Sequence, residues 1–173
     1  AKIRPELDVE PRWAVQLGKG VGKQHVKLAP LVDGDQVYAA NLKGRVVALE
    51  RDTGSRLWQV ELRVPLTAGP TAADDMILLG GDAEVLALNK KDGRLRWRAP
   101  VSSEVLAAPV SQGDLVIARS VDGAVFALSR VDGRRLWRFD QSVTPLSLRG
   151  NSTPVLQDNV VLIGFANGRV AAL

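Results

Sequence analysis

A chain of 173 residues, 46% of them hydrophobic and 24% charged, has ordinary globular composition; this excludes a disordered tract or a collagen-like repeat and sets a prior of one domain. No cysteine is present, so disulfides, zinc thiolate sites and cysteine nucleophiles are excluded, and the single histidine, His25, excludes a multi-histidine metal site. The net charge of +4 is mildly basic, with Lys and Arg spread along the chain rather than gathered on one face as in a nucleic-acid binder.

Residues 1–12 read as an N-terminal extension without a signal-peptide core, which leaves either a cytoplasmic protein or one whose targeting segment precedes this chain. The segment after it places Trp13, Val15 and Leu17 in alternation with Ala14 and Gln16, the pattern of a strand with one wet face. Residues 13–173 then read as one repeating β domain. A proline opens each unit, at Pro30, Pro70, Pro109 and Pro154, and five residues later stands Asp35, Asp75, Asp114 or Asn159. An Ala-Leu pair follows at Ala48-Leu49, Ala87-Leu88, Ala127-Leu128 and Ala172-Leu173. Nine residues after the leucine comes Trp58, Trp97 or Trp137; the first two lie 39 residues apart and the next two 40. Such a period marks a repeat architecture.

Within a unit, DQVYAAN, DMILLGG, DLVIARS and NVVLIGF are β-rich runs, and VVAL, VLAL, VFAL and VAAL follow them. Both sets are apolar at successive positions, which predicts strands buried on both faces. Asp122-Gly123 and Asn167-Gly168 are hairpin pairs; Lys43-Gly44 is a poorer one, and Ala83-Glu84 lacks the glycine. Gly54, Gly93 and Gly133 supply a second turn four residues before each Trp. The Trp strands alternate, with Trp58, Val60 and Leu62 on one face and Gln59 and Glu61 on the other.

Four strands per unit, apolar inside and half-exposed outside, describe the blade of an all-β propeller of four-stranded antiparallel sheets. The blade repeats span about 28–62, 67–101, 106–140 and 152–173, with the Trp13 strand completing another blade. Trp13, Trp58, Trp97 and Trp137, with Gly54, Gly93 and Gly133, are the predicted blade-docking residues. The count of sixteen strands fits four blades, either as a small closed ring or as half of a larger one.

Two connections carry five extra residues, GKGVGKQHVKLAP at 18–30 and TPLSLRGNSTP at 144–154. Connections on a rigid scaffold are where function concentrates. Leu146, Leu148 and Arg149 in the second have the composition of an interface anchor. The alternative is that both leucines tuck beneath the connection and Arg149 pairs with a carboxylate.

Other chemistry finds little support. GKGVGK lacks the phosphate-loop spacing and its Ser or Thr. His25 reads as a solvated loop residue. Asp33, Asp35, Asp74, Asp75, Asp114 and Asp158 recur at one place in the repeat and read as turn residues, without calcium-loop spacing. Arg94, Arg96 and Arg98, then Arg134, Arg135 and Arg138, read as a solvated rim without the stacking aromatics of a nucleic-acid site.

ALERDTGSRLW, ALNKKDGRLRW and ALSRVDGRRLW resemble the repeats of pyrroloquinoline-quinone-type propellers. Within that class TPLSLRGNSTP, WAVQLGKGVG and NVVLIGFANGRVAAL are similar to the BamB family, lipoprotein subunits of the outer-membrane β-barrel assembly machinery of Gram-negative bacteria. The resemblance implies an eight-bladed, non-catalytic scaffold without cofactor or metal, of which this chain supplies about four blades. It implies lipid anchoring at the periplasmic face of the outer membrane, binding to BamA through its periplasmic POTRA domains, and contact with unfolded outer-membrane protein substrates. The family's contact loop maps onto Leu146, Leu148 and Arg149. The family's lipidated cysteine is absent from this chain. Two half rings closing on each other is a further expectation. The rival readings are half of a quinoprotein dehydrogenase and a generic peptide-binding propeller.

Overall fold

The computed structural model describes residues 10–18, 20, 26, 28–141, 152–165 and 167–173. Fifteen strands and no helix occur among them. Sheet 1 holds β1 (Leu31–Asp33), β2 (Gln36–Ala40), β3 (Arg45–Glu50) and β4 (Arg56–Glu61). Sheet 2 holds β5 (Leu66–Ala73), β6 (Met76–Gly81), β7 (Glu84–Asn89) and β8 (Leu95–Pro100). Sheet 3 holds β9 (Val110–Gln112), β10 (Leu115–Arg119), β11 (Ala124–Ser129) and β12 (Arg135–Asp140). Sheet 4 has three strands, β13 (Val155–Gln157), β14 (Val160–Gly164) and β15 (Val170–Ala172). Every neighbouring pair is antiparallel and follows chain order, as in a meander.

The recurring Ala-Leu pair has a geometric cause. Ala48 lies directly across from Trp58, Ala87 from Trp97 and Ala127 from Trp137. A small residue opposite the indole leaves room for the ring on the sheet face. Each ladder shifts register by a bulge between that alanine and the following leucine. The bulge increases local twist and re-aims the outer strand.

Turn chemistry explains the hairpins. Gly44, Gly123 and Gly168 take left-handed φ values of 90°, 87° and 80°, and their amides donate to the carbonyls of Asn41, Ser120 and Phe165. In sheet 2, Ala83 occupies the same region at φ 60°. An alanine there carries the strain a glycine would avoid.

Each sheet presents one face to the next. Tyr38, Val46 and Ala48 of sheet 1 cluster with Ile77, Leu79, Leu86 and Leu88 of sheet 2. Leu78, Val85 and Ala87 of sheet 2 meet Val116, Ala118 and Phe126 of sheet 3. Ile117, Val125 and Ala127 of sheet 3 meet Val161, Ile163 and Phe165 of sheet 4. The remaining face of sheet 1, with Val37, Ala39, Val47 and Leu49, is covered by Trp13 and Leu17.

Two expectations require correction. The Trp13 segment forms no strand: residues 10–18 have no ladder partner, and Trp13 and Leu17 instead pack on the face of sheet 1. Among the described residues the strands number fifteen, where the repeat predicts sixteen. Burial on both faces also fails in sheet 4. Leu162 is 38% and Val170 75% exposed, whereas their equivalents in the other sheets are fully buried under a neighbour.

Candidate functional site

The seams between sheets share one construction. A Cβ placed on Gly54 would lie 2.6 Å from the Trp13 ring. On Gly93 it would lie 2.6 Å from the Trp58 ring, and on Gly133 it would lie 2.6 Å from the Trp97 ring. All three glycines are left-handed, at φ 71°, 72° and 73°. Each indole Nε1–H donates to a carbonyl of the following unit, Trp13 to Arg51 at 2.8 Å, Trp58 to Lys90 at 3.0 Å and Trp97 to Arg130 at 2.8 Å. The ring thus meets a flat backbone surface and has its polar edge satisfied. Trp137 packs against the cluster formed with Val161 and Leu173; its equivalent glycine and carbonyl would fall after Leu173, where the sequence ends.

Arg51, Lys90 and Arg130 do more than accept the indole. Their amides donate to the carbonyls of Asp35, Asp75 and Asp114, each at 2.9 Å. Their side chains pair with the acidic turns: Arg51 with Asp35 at 3.2 Å, Lys90 with Asp33, and Arg130 with Asp74 at 2.7 Å. Lys90 and Arg130 therefore reach across a seam to the preceding sheet. The sequence reading assigned the aspartates to turns and missed these cations. Their signal was a basic residue two places after each of the first three Ala-Leu pairs. Asp158 sits exposed in the turn of sheet 4 at φ 49°.

The basic rim is largely paired. Arg94 meets Asp92 at 3.6 Å, Arg98 meets Glu84 at 3.3 Å, Arg96 meets Asp75 and Arg138 meets Asp140, both at 2.5 Å. Such exposed pairs contribute little stability. No group of three His, Cys, Asp or Glu able to hold a metal occurs among the described residues, and no helix there is long and apolar enough to cross a membrane. Leu146, Leu148 and Arg149 lie outside the described residues, as do His25 and most of GKGVGK.

The flank of the second insertion is described from Ser152 onward, and a residue the sequence reading overlooked contacts it. Arg119, the last residue of β10, is 1% exposed. Its Nη1 donates to the Gly164 carbonyl at 2.6 Å and to Ser152 Oγ at 3.3 Å. Ser152 Oγ donates to the same carbonyl at 2.7 Å. The guanidinium lies over Phe165, 4.8 Å from the ring centre. The seam between sheets 3 and 4 is therefore polar at this point.

A family model described as outer membrane protein assembly factor BamB matches residues 8–59 and 42–173. The chain belongs to that family. It is similar to the outer membrane protein assembly factor BamB of Yersinia pestis, with 33% identity over 184 residues, covering 99% of this chain and 47% of the relative. It is similar to that of Escherichia coli K12, with 37% identity over 172 residues, covering 93% and 44%. The crystal structure of BamB from Moraxella catarrhalis matches 86% of this chain and 45% of its own, with a TM-score of 0.77 and 31% identity. The chain thus spans about half the length of the curated relatives it matches, and the propeller architecture of sheets 1–4 is that of this family. A europium-containing methanol dehydrogenase matches 63% of the chain with a TM-score of 0.55 and 21% identity, a likeness of fold alone.

Proposed function

We propose that the chain is part of a non-catalytic scaffold of outer-membrane protein assembly, held at the periplasmic face of the outer membrane by a lipid anchor in the full-length protein. It binds the POTRA domains of BamA through the connection bearing Leu146, Leu148 and Arg149. The observation that carries the reading is the family match over nearly the whole chain to proteins named for that assembly. The seams support it: their polar groups are used in holding sheets together, which leaves the longer connections to engage a partner. Trp13, Trp58, Trp97 and Trp137, seated on glycines where a following unit is present, serve as the docking residues of that rigid frame.

The test is titration of a POTRA-domain fragment of BamA into the full chain by calorimetry. Replacing Leu146, Leu148 and Arg149 together by alanine is expected to weaken binding at least about a hundredfold, as for the loss of a hot-spot cluster. Wild-type affinity in that variant would overturn the assignment. Oxidation of methanol by the chain with added quinone and calcium would instead support the dehydrogenase reading.

We also propose that the open face of sheet 4 receives a surface built like the Trp13 side of sheet 1. In the longer relatives a following blade supplies it; between copies of this chain, a second copy does. The observation that favours this is the exposed Leu162 and Val170 beside a sheet that has three strands.

A further inference from the structure

The β2–β3 hairpin of sheet 1 and the connection from β4 to β5 enclose a pocket. The Leu62 amide donates to the Gly44 carbonyl at 2.9 Å and the Leu66 amide to the Leu42 carbonyl at 3.1 Å. The connection is thus strapped to the hairpin at both ends. Gly44 permits the close approach: a Cβ there would lie 2.6 Å from the Val64 carbonyl oxygen. Between the straps, Leu42, Lys43, Arg63, Val64 and Pro65 line a pocket of about 380 Å³. Leu42 and Val64 are half-buried, and Val64 packs on the cluster shared by sheets 1 and 2. Lys43 and Arg63 are exposed.

The two cations are unlike the paired rim. Neither Lys43 nor Arg63 meets a carboxylate among the described residues, while the adjacent Arg45 has its own, Glu61, at 2.5 Å. The repeat shows that the fold does not demand them. The residue before the left-handed hairpin position is Lys43 in sheet 1, but Asp82 in sheet 2 and Asp122 in sheet 3. Five residues after the tryptophan stands Arg63 in the first unit and Ser102 in the second. Arg63 is also held at a left-handed φ of 60°, whereas Ser102 is not left-handed. Pro65 confines Val64 to extended backbone, so the turn of the connection falls on Arg63. Asparagine or glycine adopts that conformation more readily than arginine. Stability alone gives no reason for an unpaired arginine on that spot beside Lys43.

We propose that this pocket docks an acidic segment of a partner protein, one that sets an apolar side chain between carboxylates. The carboxylates meet Lys43 and Arg63 as charge-assisted hydrogen bonds, and the apolar side chain rests on Leu42, Val64 and Pro65. The charge pattern favours a short segment over an anionic membrane. At the same end of the strands the hairpins of sheets 2 and 3 carry exposed Asp82 and Asp122, which repel an extended negative surface. The inference uses this pocket alone and stands whether or not the proposed BamA contact holds.

The test is fluorescence anisotropy of the full chain with a labelled peptide, EELEE, in which one leucine lies between pairs of glutamates. Lys43→Glu and Arg63→Glu are each expected to weaken binding at least about fivefold, through loss of charge complementarity. Lys91→Glu makes the same charge reversal on an exposed lysine at the other end of the strands and is expected to change affinity by less than about twofold. The peptide EESEE, which lacks the apolar side chain, is expected to bind at least about threefold more weakly than EELEE. Arg63→Asn removes the cation but suits the left-handed backbone, so it is expected to keep or raise the thermal midpoint while weakening binding.

Absence of EELEE binding by the wild type would overturn the proposal, as would an equal loss with Lys91→Glu. EESEE bound as tightly as EELEE would leave only diffuse charge attraction and overturn it too. If EELEE fails but vesicles of phosphatidylglycerol bind in a manner dependent on Lys43 and Arg63, the pocket belongs to a membrane contact and the proposal falls. A large drop in thermal midpoint with Arg63→Asn would make the arginine structural and overturn it equally.

Discussion

Gly133 and Gly113 form an experiment already present in the chain. Both are left-handed, at φ 73° and 57°, so an alanine at either suffers the same backbone penalty. An added Cβ meets nothing within 4 Å at Gly113, but at Gly133 it lies 2.6 Å from the Trp97 ring. Gly133→Ala is therefore expected to cost at least about 1 kcal/mol more than Gly113→Ala in urea unfolding, since overpacking of a filled contact typically costs about 1–3 kcal/mol. Equal losses would mean that the glycine serves only the turn. The complementary change, Trp97→Ala, empties the seam and is expected to lower stability by about 3–5 kcal/mol. An unchanged denaturation midpoint would contradict a docking role. The glycines were legible in the sequence as turn and blade-docking residues. Their contact with the tryptophan of the preceding unit was not, because positive φ is a local requirement and ring contact is a long-range one.

Among the elements, the β10–β11 hairpin shows how a turn carries charge. Burial raises the Asp122 pKa, but hydrogen bonds from the Ser102 and Ser120 hydroxyls and the Ala124 amide, with the nearby Arg138 charge, outweigh it and hold the carboxyl below its usual range. A depressed folded pKa stabilises fully above the unfolded value near about pH 4 and loses that contribution as pH falls through the folded value. Thermal midpoints of the wild type and Asp122→Asn, measured from neutral pH into acid, are expected to converge below about pH 4. A gap that stays constant through the acid range would remove the charged form from the explanation. The Asp122-Gly123 pair itself was plain in the sequence, as was the outer-strand alternation of Trp58, Val60 and Leu62. The Trp13 segment shows the limit of such patterns. Its alternation is that of a half-buried strand, yet a strand exists only where a ladder partner lies alongside. Apolar alternation reports which side is covered, and here the cover is the face of sheet 1.

At the scale of the whole molecule, the two ends of the sheet stack are unlike. Trp13 and Leu17 cover sheet 1, while sheet 4 leaves Val160, Leu162 and Val170 exposed on one face. Concentration-dependent association of the 173-residue chain is expected in multi-angle light scattering, and Leu162→Glu is expected to abolish it by placing a charge on the mating face. A monodisperse monomer for the wild type at high concentration would sink association through this face. In the longer family members the same face is expected to be covered within one chain.

The sequence by itself determined the blade, its period and its family. Apolar runs, turn pairs and the spacing of indoles are local properties repeated along the chain, and repetition makes a weak local signal a strong one. Tertiary structure alone decided the partners across each seam: Trp97 on Gly133, Arg130 on Asp74, and Arg119 on Gly164 and Ser152. These contacts join residues 33 to 56 places apart. They are set by the stacking of one sheet on the next, which no local pattern encodes. The tertiary arrangement also distinguishes Arg119, an ordinary end to a strand when read in line, as a cation buried at the base of the inserted connection.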